Sequence, residues 1–273
     1  MCYRRRFRRG FTLFQLLLVL AILLILLGLL LPAIVKARLQ ALRMEGSNNL
    51  KQLNLAVQNC ADTYQGLMPP TVGVFPKDMQ HAAEGTLHFI LLPYLEQQNV
   101  YNFSFDNDPK NPRYRVSYKG TAAVPIKVFL APKDPSAPPD GMYDGWLALC
   151  NYPANYLVFG KGGNRFPASI TDGTSNTIFF AQRYQMCNGQ PHAWGYDGWY
   201  YWVPMFAYYS TELFQVMPLA KDCDPERAQS LTPDIIQVGL GDGSVRFITP
   251  KLSAQTWFFA CTPNGGEVLG ADW

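Results

Sequence analysis

The run from residue 11 to residue 31 constrains this chain more than any other feature, because it carries no charge and only Thr12 and Gln15 are clearly polar. Wound as a helix rising about 1.5 Å per residue, such a run matches the roughly 30 Å hydrocarbon thickness of a bilayer. Arg4, Arg5, Arg6, Arg8 and Arg9 precede it, and Lys36, Arg38, Arg43 and Lys51 follow it. The positive-inside rule therefore points the N-terminus into the cytoplasm and places the remainder outside it. A secretory signal shares the basic start, but its apolar region covers only about 7–15 residues and ends at a small-x-small site. Here the apolar run is longer, and Val35-Lys36-Ala37 is a poor cleavage site.

Pro32 is expected to kink this helix near Gly28, since it removes one internal hydrogen bond. Beyond it an apolar stripe continues at Leu39, Leu42, Gly46, Leu50, Leu53, Val57, Cys60 and Tyr64, at gaps of three or four residues that describe one helical face. The reading is one long, kinked helix over 11–64, its first half in lipid and its second half packed on a head. From residue 65 onward prolines recur too often for long helices, with 85–99 the one candidate, so short strands and loops are expected. Strand candidates are 124–130, 155–159, 176–181, 198–203, 235–240 and 244–248. The last two flank Gly241-Asp242-Gly243, a strong hairpin signal. The fold class that results is α+β, with a long kinked N-terminal helix on a β-rich globular head over 65–273.

The charge balance excludes a nucleic-acid partner. Apart from the five leading arginines, 18 basic residues face 20 acidic ones and form no long basic stripe. Of the six cysteines, Cys2 lies in the basic leader, leaving an odd number, Cys60, Cys150, Cys187, Cys223 and Cys261, in a part expected outside the cytoplasm. Cys187 and Cys223, both in loop sequence, are the favoured disulfide, although the sequence leaves connectivity open.

Several residues invite chemical readings. Asp140, Asp144, Asp172, Asp197 and Asp242 each precede a glycine, which describes ordinary turns or oxygen ligands for calcium; Asp172 and Asp242 are the better calcium candidates. His81, Glu84 and His88 lack the spacing of a zinc protease, and Ser175 lacks both the frame of a nucleophile elbow and an acid–base pair. No catalytic constellation emerges, and the chain is read as no enzyme. The densest aromatic stretch contains Trp194, Trp199, Tyr200, Tyr201, Trp202, Phe206, Tyr208 and Tyr209. Alternation cannot put four consecutive rings on one strand face, so some are expected outward, as in surfaces that hold a partner or a sugar.

Arg8-Arg9-Gly10-Phe11-Thr12-Leu13, a basic leader ending in Gly before Phe and an apolar helix, resembles the signature of type IV prepilins and pseudopilins. The resemblance implies cleavage after Gly10 by a prepilin peptidase, so that 1–10 is a leader, and methylation of the new amino group on Phe11. It also implies a pilin-type kink at Pro32. The rest resembles a bacterial family of prepilin-like proteins carrying domain of unknown function 1559, also labelled solute-binding-like. The likeness rests on Asn48-Asn49-Leu50-Lys51-Gln52-Leu53, Asp62-Thr63-Tyr64, Leu92-Pro93-Tyr94-Leu95-Glu96-Gln97, Asp172-Gly173-Thr174-Ser175-Asn176-Thr177, Asp242-Gly243-Ser244-Val245-Arg246-Phe247 and Gly265-Gly266-Glu267-Val268. Three positions depart from the families' patterns: Gln15 replaces the usual Glu, Thr232 a His, and Ala131 a frequent Cys.

What the resemblance implies is a single-pass protein of the bacterial inner membrane with its head outside the cytoplasm. It would act as a structural subunit of a type II secretion or type IV pilus-type system. Its partners would be membrane lipid, the prepilin peptidase and other pilin-like subunits, with no cofactor unless calcium binds. Gln15 and Pro32 would then be the helix residues that matter in assembly. The alternative reading is a membrane-anchored binding module whose head takes a glycan or a solute.

Overall fold

The computed structural model describes residues 13–77, 79–198, 201–208 and 211–273. Its fold is α+β, a long N-terminal helix and a β-rich head with several sheets. The chain divides into two compact units, Met1–Met44 and Glu45–Trp273.

The helix runs Leu13–Thr63 and continues unbroken through Pro32. Proline has no N–H to donate, so the Gly28 carbonyl four residues earlier lacks its usual intrahelical partner. In the first unit the apolar side chains stand in the open: Leu13, Phe14, Leu24, Ile25, Leu31 and Ile34 are all exposed.

In the second unit the helical part 45–63 belongs to the main core. Leu50, Leu53, Ala56, Val57, Cys60 and Ala61 are fully buried, whereas Leu55 on the opposite face is exposed. From Gly46 to Cys60 the expected stripe thus becomes the face that packs on the head. Polar side chains set its register as well: the Asn49 amide donates to the Leu130 carbonyl at 3.0 Å and the Gln58 amide to that of Gly241 at 2.9 Å.

The main sheet has five strands in the spatial order Met205–Phe206, Ala154–Asn155, Ile178–Ala181, Ile236–Leu240, Val245–Ile248. Its first pair is parallel and the others antiparallel. The last two strands are the expected hairpin, with Ile236 opposite Ile248 and Gly239 opposite Val245. A register shift at Gly239/Leu240 interrupts pairing with Ile178–Ala181. A β-carbon on Gly239 would lie 2.4 Å from the Asn54 amide nitrogen, so only glycine lets the helix approach the strand this closely. A second sheet orders Val72–Phe75, Ala83–Thr86, Arg113–Arg115, Phe105–Asp106.

Four expected elements differ. Over 124–130 a 3-10 turn, Lys127–Phe129, replaces a strand, two residues after Pro125. Over 155–159 the strand Ala154–Asn155 gives way to a one-turn helix, Tyr156–Phe159, because the Asn155 side chain accepts the Leu157 N–H at 3.0 Å and caps it. The candidate helix over 85–99 breaks into Leu87–Ile90, a 3-10 turn Leu92–Leu95 and Gln98–Phe103, with Pro93 inside the second piece and Glu96 at a φ of 59° between the last two. Of the candidate strand 198–203, the described residues 198 and 201–203 form bends and a turn.

Candidate functional site

The expected processing residues Gly10 and Phe11 lie outside the described residues. Gln15 is exposed in the first turns of the helix, among Phe14, Leu16, Leu17 and Leu18, which are exposed too. The helix has a stretch of mean hydropathy 3.2 in which no residue is buried, long and apolar enough to cross a membrane. An exposed apolar surface of this extent marks a site that meets a membrane or another protein.

On the head, Cys187 and Cys223 form a disulfide with a Cα–Cα distance of 5.3 Å. It ties the two-residue strand Met186–Cys187, which follows Ile178–Ala181 in the chain, to the segment that follows Leu219. Cys60, Cys150 and Cys261 are free and buried. Burial pushes the Cys150 thiol up to about 12 and raises that of Cys261 as well, so neither is poised as a thiolate nucleophile at neutral pH. At the substituted position Ala131, the backbone N–H donates to the Asn151 side-chain oxygen at 2.7 Å. Thr232 donates its hydroxyl to the Ile235 carbonyl at 3.1 Å.

The two calcium candidates sit in different surroundings. Both carboxylate oxygens of Asp172 accept backbone N–H groups, those of Gly265 and Gly266, each at 2.8 Å. One Asp242 oxygen accepts the Ser244 N–H at 2.9 Å and its hydroxyl at 2.6 Å, a side-chain turn at the tip of the hairpin. These oxygens organise loops, and among the described residues no three His, Cys, Asp or Glu side chains gather as a metal-binding group.

The histidines are also separated. His81 is exposed, while His88 is fully buried, its Nε2 2.8 Å from the Tyr152 carbonyl. Burial holds its imidazole down at about 4, against the pull of that carbonyl. His192 is buried likewise, with Nδ1 2.9 Å from the Tyr184 carbonyl. Ser175 lies in the exposed turn that enters Ile178–Ala181.

The aromatic stretch is divided. Trp194 is a core residue whose indole N–H donates to the Val124 carbonyl at 2.9 Å, and Phe206 is buried. Trp202 is half-buried, and Tyr208 is 40% exposed. Trp199, Tyr200 and Tyr209 lie outside the described residues. Trp202 meets Tyr196 within the stretch and two rings from outside it, Tyr143 and Trp146. It lies 5.0 Å from Tyr196, 5.5 Å from Tyr143 and 6.3 Å from Trp146, and Trp146 is 48% exposed. Gln190 accepts the Trp202 indole N–H at 2.7 Å and fixes the ring. Tyr143 and Trp146 flank Asp144-Gly145, a turn marked in the sequence for its carboxylate rather than for its aromatic neighbours. This group, a partly exposed aromatic surface rimmed by polar residues, is the head's best candidate for partner or sugar contact.

No curated protein and no solved structure matches the chain. A family model described as "Protein of unknown function (DUF1559)" matches residues 35–255, from the helix after Pro32 to the start of the last helix, Ala254–Cys261. By that match the chain belongs to the DUF1559 family.

Proposed function

We propose that this protein is a pilin-like structural subunit rather than an enzyme. It is made with a leader that a prepilin peptidase removes after Gly10, and it is held in the bacterial inner membrane with its head outside the cytoplasm. From there it joins other pilin-like subunits in a type II secretion or type IV pilus-type assembly. The observation that carries this reading is the single helix Leu13–Thr63, apolar and unburied in its first unit and built into the head's core in its second. An anchor alone needs only to span lipid. A helix that also forms part of the head core suits a pilin-like subunit, in which anchor and head share one helix.

Gln15 gives the proposal a specific consequence. A carboxylate at this position pairs with the charged amino terminus of a neighbouring subunit, whereas an amide hydrogen-bonds but supplies no countercharge. The subunit is therefore expected to sit at a filament tip or to incorporate sparsely, and Gln15→Glu to raise its incorporation into mixed filaments.

The deciding experiment is the N-terminal sequence and intact mass of the membrane-extracted protein, expressed with and without a prepilin peptidase. A peptidase-dependent form that begins at methylated Phe11 is expected. Retention of residues 1–10 in both cases would refute the proposal. The second reading, an anchored module that binds a glycan or solute, is favoured by the Tyr143–Trp146–Tyr196–Trp202 group. Ligand binding lost on Trp146→Ala, together with an uncleaved leader, would favour it.

A further inference from the structure

The second sheet ends in a cavity that neither reading uses. Ala83 pairs with Tyr114 and Phe105 with Tyr114, so the connection 76–82 and the hairpin loop 107–112 leave the sheet at the same end. Between them lies a cavity of about 310 Å³, within the range of small-molecule sites. Its cationic lining side chains are Lys77, Lys110 and Arg113, and among the described residues no Asp or Glu lines it. Gln80 and Asn111 add amides, while Val74, Met79 and Pro112 add apolar wall.

The charges around the cavity are not equivalent. Arg113 is already committed: Nη1 lies 3.2 Å from Glu84 and Nε donates to Asn111 at 3.0 Å. Arg115 lies 2.6 Å from the same Glu84 and 3.1 Å from Asp106, so two guanidiniums and two carboxylates neutralise one another beside the cavity. Asp108 is engaged in its own loop, its carboxylate accepting the Lys110 backbone N–H at 2.9 Å. The Lys77 and Lys110 side chains are exposed, and among the described residues neither ammonium has an ion-pair partner. Asp78, next to Lys77 in the chain, lies outside the described residues.

We propose that this cavity binds a phosphate group, carried by a small hydroxylated molecule or by a lipid headgroup, with Lys77 and Lys110 as its two cations. The arginine fork grips carboxylates and phosphates alike, and the one arginine here has its fork occupied. Two lysine ammoniums acting as point charges match the near-double negative charge of a phosphate better than the single charge of a carboxylate. The amides of Gln80 and Asn111 face the hydroxyls of the ligand's carbon skeleton. The site is electrostatic and open to solvent, so its affinity falls as salt is added.

The test titrates the full-length protein in neutral detergent with glycerol 3-phosphate, followed by calorimetry and by phosphorus NMR line width. A parallel arm uses micelles doped with phosphatidylglycerol. Saturable binding of the soluble ester assigns a free phosphate compound, and a response confined to doped micelles assigns a lipid headgroup. In either case Lys77→Gln/Lys110→Gln is expected to weaken binding at least tenfold at an unchanged melting temperature, and Lys77→Arg/Lys110→Arg to retain it. The proposal is overturned if neither probe binds, if the glutamine variant binds as tightly as the original, or if glucuronate binds as well as glycerol 3-phosphate.

Discussion

Asn151 is fully buried and uses all the hydrogen-bonding capacity of its amide. Its oxygen accepts the Ala131 N–H at 2.7 Å and the Gln185 amide at 2.8 Å; its nitrogen donates to Asp134 at 2.7 Å and to the Arg183 carbonyl at 2.8 Å. One side chain therefore joins the Phe129–Ala131 segment to the chain around Arg183. An apolar replacement strands several buried partners at once, each costing about 1–3 kcal/mol. Asn151→Leu is expected to lower stability by about 3 kcal/mol or more, read as a drop in the denaturation midpoint at an unchanged slope. Nothing about Asn151 in the sequence marks this role, because its partners lie 17 to 34 residues away.

At the scale of elements, the contact between the helix and the hairpin strand Ile236–Leu240 depends on small residues. Gly239 faces Asn54, and a β-carbon on Gly46 would lie 2.5 Å from the Gln237 side-chain oxygen. The helical stripe and the hairpin were both legible in the sequence, since each is a local pattern: a spacing of three or four residues in one, alternation around Gly241-Asp242-Gly243 in the other. That these two elements would meet at Gly239 was not legible, because a glycine inside a strand pattern has several explanations and its neighbour is distant in the chain. Gly239→Ala is expected to destabilise the head by about 1–3 kcal/mol through overpacking. Asn54→Ala in the same chain is expected to relieve most of that loss, and a double-mutant cycle in chemical denaturation measures the coupling.

For the whole molecule, acid stability follows from the buried imidazoles. The unfolded chain binds a proton on His88 below its ordinary value of 6.5, whereas the folded chain resists until about 4. Between those values the unfolded state holds more protons, so stability falls as pH drops from 6.5 toward 4 and levels off below. The loss is on the order of 3 kcal/mol for His88, and His192, also held down by burial, acts in the same direction. Denaturation midpoints measured between pH 7 and pH 4 are expected to decline. His88→Gln, which keeps a donor for the Tyr152 carbonyl, is expected to flatten the decline.

The sequence by itself determined the long apolar helix, its buried stripe, the Gly241-Asp242-Gly243 hairpin and the α+β class, because each follows from periodicity or turn chemistry within a short window. Only the tertiary structure decided the rest. It divided the aromatic stretch between core and surface and brought Tyr143 and Trp146 to Trp202 from nearly sixty residues away in the chain. It engaged Asp172 with Gly265 and Gly266, and it left Lys77 and Lys110 beside one cavity while the neighbouring arginines found carboxylates. These outcomes depend on which distant groups share a neighbourhood once the core has formed, and no local pattern carries that information.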